Sequence, residues 1–396
     1  MKALKEAFSA LASLRLTVLL LALSMVLILA GTLAQVNEGV WSVVDRYFRS
    51  PFVLIPFQLF IPEKVARIPG VLPFPGGLTL GVLLFVNLIA AHFTRFKVTW
   101  KRSGIILSHL GILLLLVGEF VTGALAEEGN MTIDEGSSSN YVEDTRSVEL
   151  AVIDPSPAGD DLVVVVPQRL LERAARSGQP VTHGLLPFDV AVSEWMPNST
   201  ILGPMQSTEQ QRKKADAGAG LQIAAVPAPT ATGVNGAEVD APSAYLTFSR
   251  GGKKLGTYLV SMYLNQAQPV DVDGKVYQVE LRFKRTYKPY TLHLIDFKHD
   301  KFVGTDTPRN FSSLVRLIDP SRNTDREVLI YMNTPLRYSG DTLYQSAFKQ
   351  GDTGTILQVV TNPGWLIPYI SCGMVTLGLL VHFGIRLSGS IRRKAS

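Results

Sequence analysis

The sequence predicts a membrane protein with four transmembrane helices, three before and one after a large, mainly antiparallel β domain. Four long apolar runs, basic clusters flanking them, and a series of short alternating runs between residues 145 and 361 predict it. Composition agrees: charged residues make 18% of the chain, against roughly 25% in average globular proteins. Mean hydropathy is +0.20, which excludes disorder over most of the chain. The lone cysteine, Cys372, excludes an internal disulfide, a CxxC pair and a cysteine-built zinc site. A net charge of +5 would permit nucleic acid binding, but the basic residues sit beside apolar runs, so the expected partner is the lipid bilayer and no nucleic acid is expected.

The first run covers 16–36 without a charge, matching the roughly 20 residues a span needs. It exceeds the h-region of a signal peptide, at most about 15 residues, and reads as a retained anchor. The second covers 74–94, opened by Pro73 and Pro75. The third covers 104–126, with His109 and Glu119 inside it, and the fourth covers 365–383. Lys2, Lys5 and Arg15 precede the first; Arg95, Lys97, Lys101 and Arg102 separate the second and third; Arg386, Arg392, Arg393 and Lys394 follow the fourth. If each run crosses once, these groups share one side, which the positive-inside rule makes cytoplasmic.

The expected organisation is a membrane region 1–126, an extracytoplasmic β-rich domain 127–364 and a final helix with a basic cytoplasmic tail 365–396. Both termini are then cytoplasmic. The loop 37–73, broken by Pro51, Pro56 and Pro62, reads as interfacial segments on the outer leaflet or as a loop packed on the soluble domain. In the β domain, runs at 148–153, 162–166, 188–192, 245–248, 276–283, 291–297, 314–318 and 355–361 read as strands. Gly251-Gly252 and Asp273-Gly274 are hairpin signals, and 170–177 reads as a short helix. The stretch 213–242, rich in Ala, Gly, Pro and Thr, reads as a loop or insertion around a 221–226 run.

His183, His293 and His299 fall in the β domain without metal-ligand spacing, and Asp296 with His299 reads as a pair of polar side chains facing solvent at a strand end. The spans are more informative. His92, His109 and His382 sit on three different spans, within roughly 5–11 Å of the inner boundary. Ionisable residues inside a membrane are costly and mark functional sites, and neutral imidazole is an axial ligand of haem iron. His92 and His382 are near enough to the edge to serve as interfacial residues. His109 is deeper, beside a stripe of Gly104, Ser108, Gly111 and Gly118 suited to close helix packing, from which it projects toward a cavity. Asn87 and Glu119 are candidates for bonding a neighbouring helix, and Cys372 reads as a buried small residue.

Several strings resemble the ResB/CcsB family of system II cytochrome c biogenesis: NLIAAHFTRF (87–96), SGIILSHLGILLLLVG (103–118), PYTLHLIDFKHDKFVGTDTPRNFSS (289–313), MNTPLRYSGDTLYQSAF (332–348) and TGTILQVVTNPGWLIPYISCGMVTLG (353–378). The 3+1 layout matches as well. The resemblance implies a bacterial inner-membrane subunit that works with a polytopic CcsA/ResC-type partner. Together they carry haem b across the membrane for attachment to apocytochrome c. It implies haem ligation by a histidine that maps to His109. In the family the partner supplies a tryptophan-rich haem-handling segment; here Trp41, Trp100, Trp195 and Trp365 are isolated, so the chain is expected to be at most part of a cytochrome c synthase. Two other classes stay open: a haem-b electron-transfer subunit using His92, His109 or His382, and a haem-free membrane-anchored scaffold.

Overall fold

The computed structural model of the chain describes residues 10–61, 67–95, 99–157, 159, 161–230, 240–264, 266–302, 304 and 308–395. Lys2, Lys5, Lys97 and the 231–239 part of the Ala- and Gly-rich stretch lie outside them. Helices α1 (Leu14–Glu38), α2 (Gly77–Arg95) and α3 (Ser103–Leu125) come first, α4 (Gln168–Ser177) lies among the strands, and α5 (Ile367–Ala395) closes the chain. Among the described residues, four helical segments are long and apolar enough to cross a membrane: Leu14–Val36, Gly77–Thr94, Trp100–Leu125 and Ile367–Ile391. The chain divides into two compact units, one of these four helices and one of strands with α4.

In the helical unit the second span starts later than the sequence suggests. Strand β1 (Phe52–Pro56) pairs antiparallel with β2 (Val71–Pro75), so Pro73 and Pro75 belong to a hairpin and not to a helix start. Proline lacks the donor that a central strand or a helix interior needs, but a two-stranded ribbon tolerates it. The described part of the 37–73 segment packs on helices of its own unit: Val43, Tyr47, Val53 and Ile55 are buried with Leu20, Leu27, Ala30 and Ala34 of α1 and Leu80 of α2. Phe52, Leu54, Phe57 and Phe60 stay exposed. Asn87 of α2 is buried; its amide donates to the carbonyls of Leu11 (2.5 Å) and Ser13 (3.3 Å) and accepts from Thr17 Oγ1 (2.6 Å). The buried amide thus ties α2 to the Leu11 carbonyl and adds to the Ser13 carbonyl, which also accepts from the Thr17 N–H.

The β unit opens with β3 (Glu127–Asp134), β4 (Ser138–Asp154) and β5 (Leu162–Pro167). There follow β6 (Asp189–Met196), β7 (Ser199–Leu202), β8 (Ala224–Pro227), β9 (Ser243–Arg250) and β10 (Lys253–Ser261). After β11 (Gln268–Val272) and β12 (Lys275–Lys301) come β13 (Pro308–Asp319), β14 (Thr324–Tyr331), β15 (Leu336–Tyr338), β16 (Asp341–Phe348) and β17 (Gly354–Thr361). Every ladder between named strands is antiparallel where its register is recorded. The hairpins at Gly251-Gly252 and Asp273-Gly274 form, with positive φ at all four residues.

Two large cores organise this unit, and a smaller cluster gathers Met196, Ala215, Ala225, Tyr245 and Leu259. In the first, β6, β9 and β10 face β4, β5, β11 and β12 across Leu150, Val190, Leu246, Phe248 and Val279. In the second, β3, β12, β13, β14, β16 and β17 enclose Met131, Leu292, Leu294, Val315, Ile330, Leu343 and Leu357. The 27-residue β12 joins them, its 276–283 half in the first core and its 290–297 half in the second. At the joint its pairing with β4 shifts between Tyr287 and Leu292. There Arg285 donates to Glu143 (3.0 Å) and lies 4.3 Å over the Tyr141 ring, so the charged stretch between the cores is paired. Next to it, Tyr290 donates to the buried Asp341 carboxylate (2.8 Å), and burial pushes its phenol upward.

Candidate functional site

One face of α3 is a seam. Gly104, Ser108, Gly111 and Gly118 are buried on it. A Cβ added at Gly104 would fall 2.5 Å from the Gly378 carbonyl oxygen and from the His382 nitrogen of α5; one at Gly111 would fall 2.9 Å from the Ser371 carbonyl oxygen. Only glycine allows that approach, which is how helices gain packing contacts where burial from water contributes nothing. Ser108 Oγ donates to the Gly104 carbonyl (3.0 Å) and lies 3.4 Å from that of Val375 across the seam. The seam is therefore filled by α5.

His109 lies one residue on, about 100° around the helix, and meets α2. Its ring centroid is 5.4 Å from that of His92, edge to face at 69°. His109 Nδ1 lies 2.8 Å from the Ile105 carbonyl oxygen and His92 Nδ1 2.9 Å from that of Leu88, each one turn back on its own helix. A carbonyl oxygen only accepts, so each Nδ1 carries the proton and donates it. The lone pair is then on Nε2 in both rings, and Nε2 of His92 is buried. That tautomer, fixed by a backbone carbonyl, is what a metal-ligating imidazole requires.

His382 stands apart. Its backbone faces Gly104 at the end of the seam, its ring contacts Phe383 at 5.5 Å, and its buried Nδ1 has no hydrogen-bond partner among the described residues. Of the three histidines singled out in the sequence, the structure thus brings together His92 and His109. A signal for this pairing was present: the two are almost symmetric about the short connection between α2 and α3, and antiparallel helices place such positions at one depth. At 5.4 Å and edge to face, the two rings are in direct contact.

Other expectations need correction. Cys372 is exposed, because α5 turns its small-residue side, with Ser371 and Gly378, to α3. Glu119 is exposed on α3. His299 does not face solvent: its side chain is 4% exposed and pairs with Asp352, 53 residues away, whereas Asp296 pairs with Lys298. His183 is exposed, and His293 lies 3.0 Å from Ser138 Oγ. Among the described residues no group of three metal-ligating side chains occurs.

The model of the ResB-like family matches residues 268–356, from β11 into β17 and through most of the second core. The resemblance to the ResB family is borne out. Protein NrfI of Wolinella succinogenes is 26% identical over 307 residues, covering 76% of this chain and 29% of that protein. This ResB-like chain therefore spans less than a third of the length of the curated relative it matches. The solved cytochrome c heme lyase CcmF aligns over 77% of this chain and 30% of its own at 10% identity, with a TM-score of 0.19, too low to carry a fold argument.

Proposed function

We propose that this ResB-like chain is a cytochrome c maturation subunit of the bacterial inner membrane, which takes up haem as cargo among its helices and presents it for attachment to apocytochrome c. The observation that carries the reading is the His92–His109 pair, two imidazoles on facing apolar helices with both Nδ1 protons engaged by backbone carbonyls. His109 is the axial ligand of the cargo iron, and His92 shares or relays it. His382, at the end of the α3–α5 seam, is a third candidate ligand. The basic clusters support cytoplasmic termini and an extracytoplasmic β unit. A CcsA/ResC-type polytopic partner completes the synthase.

Expression in a host without other maturation systems tests this. The account expects covalent cytochrome c only when this chain and its partner are both present. Maturation by this chain alone, or an inside signal from a reporter fused after Val270, would overturn it.

A further inference from the structure

We propose that the β unit holds a second haem-iron ligand, His299, oriented by Asp352 and screened by phenylalanines. This rests on the reading that haem is the cargo. His299 lies in β12 opposite Phe311 of β13. Its ring sits between Phe311, centroids 4.8 Å apart, and Phe348, 4.4 Å apart, and the two phenylalanines are 5.2 Å from each other. Its Nδ1 bonds the Asp352 carboxylate at 2.8 Å. An ionised carboxylate only accepts, so Nδ1 carries a proton, and in the neutral ring the lone pair is on Nε2. Nε2 is buried with no hydrogen-bond partner among the described residues.

The backbone is bent to achieve this. Gly351 has φ +77° and Asp352 φ +56°, the latter a conformation that L side chains rarely adopt. Strain of this kind persists where surrounding structure enforces it, and it collects at binding sites. A buried imidazole left half-satisfied in an aromatic pocket is costly unless something uses its lone pair.

The chemistry of the surroundings selects the ligand. A hydrated divalent ion needs three or four protein donors, and no such group is present among the described residues. Haem iron brings four ring nitrogens of its own and needs one axial imidazole. Phe311 and Phe348 are half-buried against the second core, and a porphyrin reaching Nε2 would stack on whichever ring turns aside. The carboxylate behind the ring has the arrangement that holds metal-ligating histidines in register.

The test is titration of the full-length chain in detergent with ferric haem b, followed by its absorbance. The wild type is expected to take up two histidine-ligated equivalents, and His299→Ala one. Asp352→Asn should weaken the second equivalent about tenfold. His92→Ala/His109→Ala should keep the His299-dependent equivalent and lose the other. Should that double variant take up none, or His299→Ala still bind as the wild type does, the inference is overturned. If instead the wild type and the double variant bind the same one equivalent, and His299→Ala removes it, the reading of the membrane pair fails while this one stands.

Discussion

On one side of α3, glycine and serine bring the backbone of α5 to the limit of approach; on the other, His109 reaches α2 through a ring meeting a ring. The first contact has no side-chain freedom to give, so α3 and α5 form a rigid post. The second lies between two rotatable side chains, and opening it costs edge-to-face ring packing, about 0.5–1.5 kcal/mol. The difference teaches which contact of α3 can open: on the function proposed above, a flat cargo would enter between α2 and α3, with α5 keeping α3 upright.

Filling the seam is the most severe way to break this comparison. Gly104→Leu puts side-chain carbons where the Gly378 carbonyl and the His382 backbone lie, and backbone cannot move aside locally. A loss of about 1–3 kcal/mol is expected, read as a lower midpoint in detergent unfolding. An unchanged midpoint would show that α3 and α5 are not closely packed. Asn87→Leu acts on the other side. It leaves Thr17 Oγ1 and the Leu11 and Ser13 carbonyls without the amide, at about 1 kcal/mol. Because Asn87 anchors α2, this variant should weaken haem uptake more than Gly104→Leu does at equal folded fraction; the reverse order would contradict the division of roles.

A third variant, in the β unit, should leave both faces untouched. The Lys275 ammonium, and then Ser156, hold the Asp154 carboxyl down to about 2. A carboxylate whose folded value lies below its unfolded value of about 3.9 stabilises the fold above pH 4 and loses that contribution as pH falls through 2. Asp154→Asn should therefore flatten the fall of the thermal midpoint between pH 4 and 2 while haem uptake at neutral pH stays unchanged. Parallel midpoint curves for the two proteins would refute the pairing.

The four spans were legible because an apolar run of span length has few alternatives, and the seam was legible because glycine and serine recur at one-turn spacing. Start points were harder. Pro73 and Pro75 resemble a helix opening, and only their pairing with Phe52–Pro56 shows a ribbon. In β12, Lys284, Arg285, Lys288 and Pro289 mimic a turn between two strands; the structure keeps the strand continuous because Glu143 and Tyr141 of β4 engage Arg285. The polar opening of β4, Ser138 to Asp144, has no alternation to reveal it. The near-equal spacing of His92 and His109 from the connection puts them at one depth, but an all-round apolar helix gives no periodicity to tell that their sides face each other. Nothing local links His299 to Asp352, whose separation only the fold closes.

The central claim is that His109, with His92 facing it, ligates haem among the helices. The most direct measurement is the haem content and absorbance of the chain co-purified with its polytopic partner, compared among His109→Ala, His92→Ala and His382→Ala. Folding should survive each change, since no buried charge loses a counter-ion. The account predicts that His109→Ala lowers haem content most and removes bis-histidine character from the spectrum, that His92→Ala costs less, and that His382→Ala costs least. Full haem content and an unchanged spectrum in His109→Ala would contradict it.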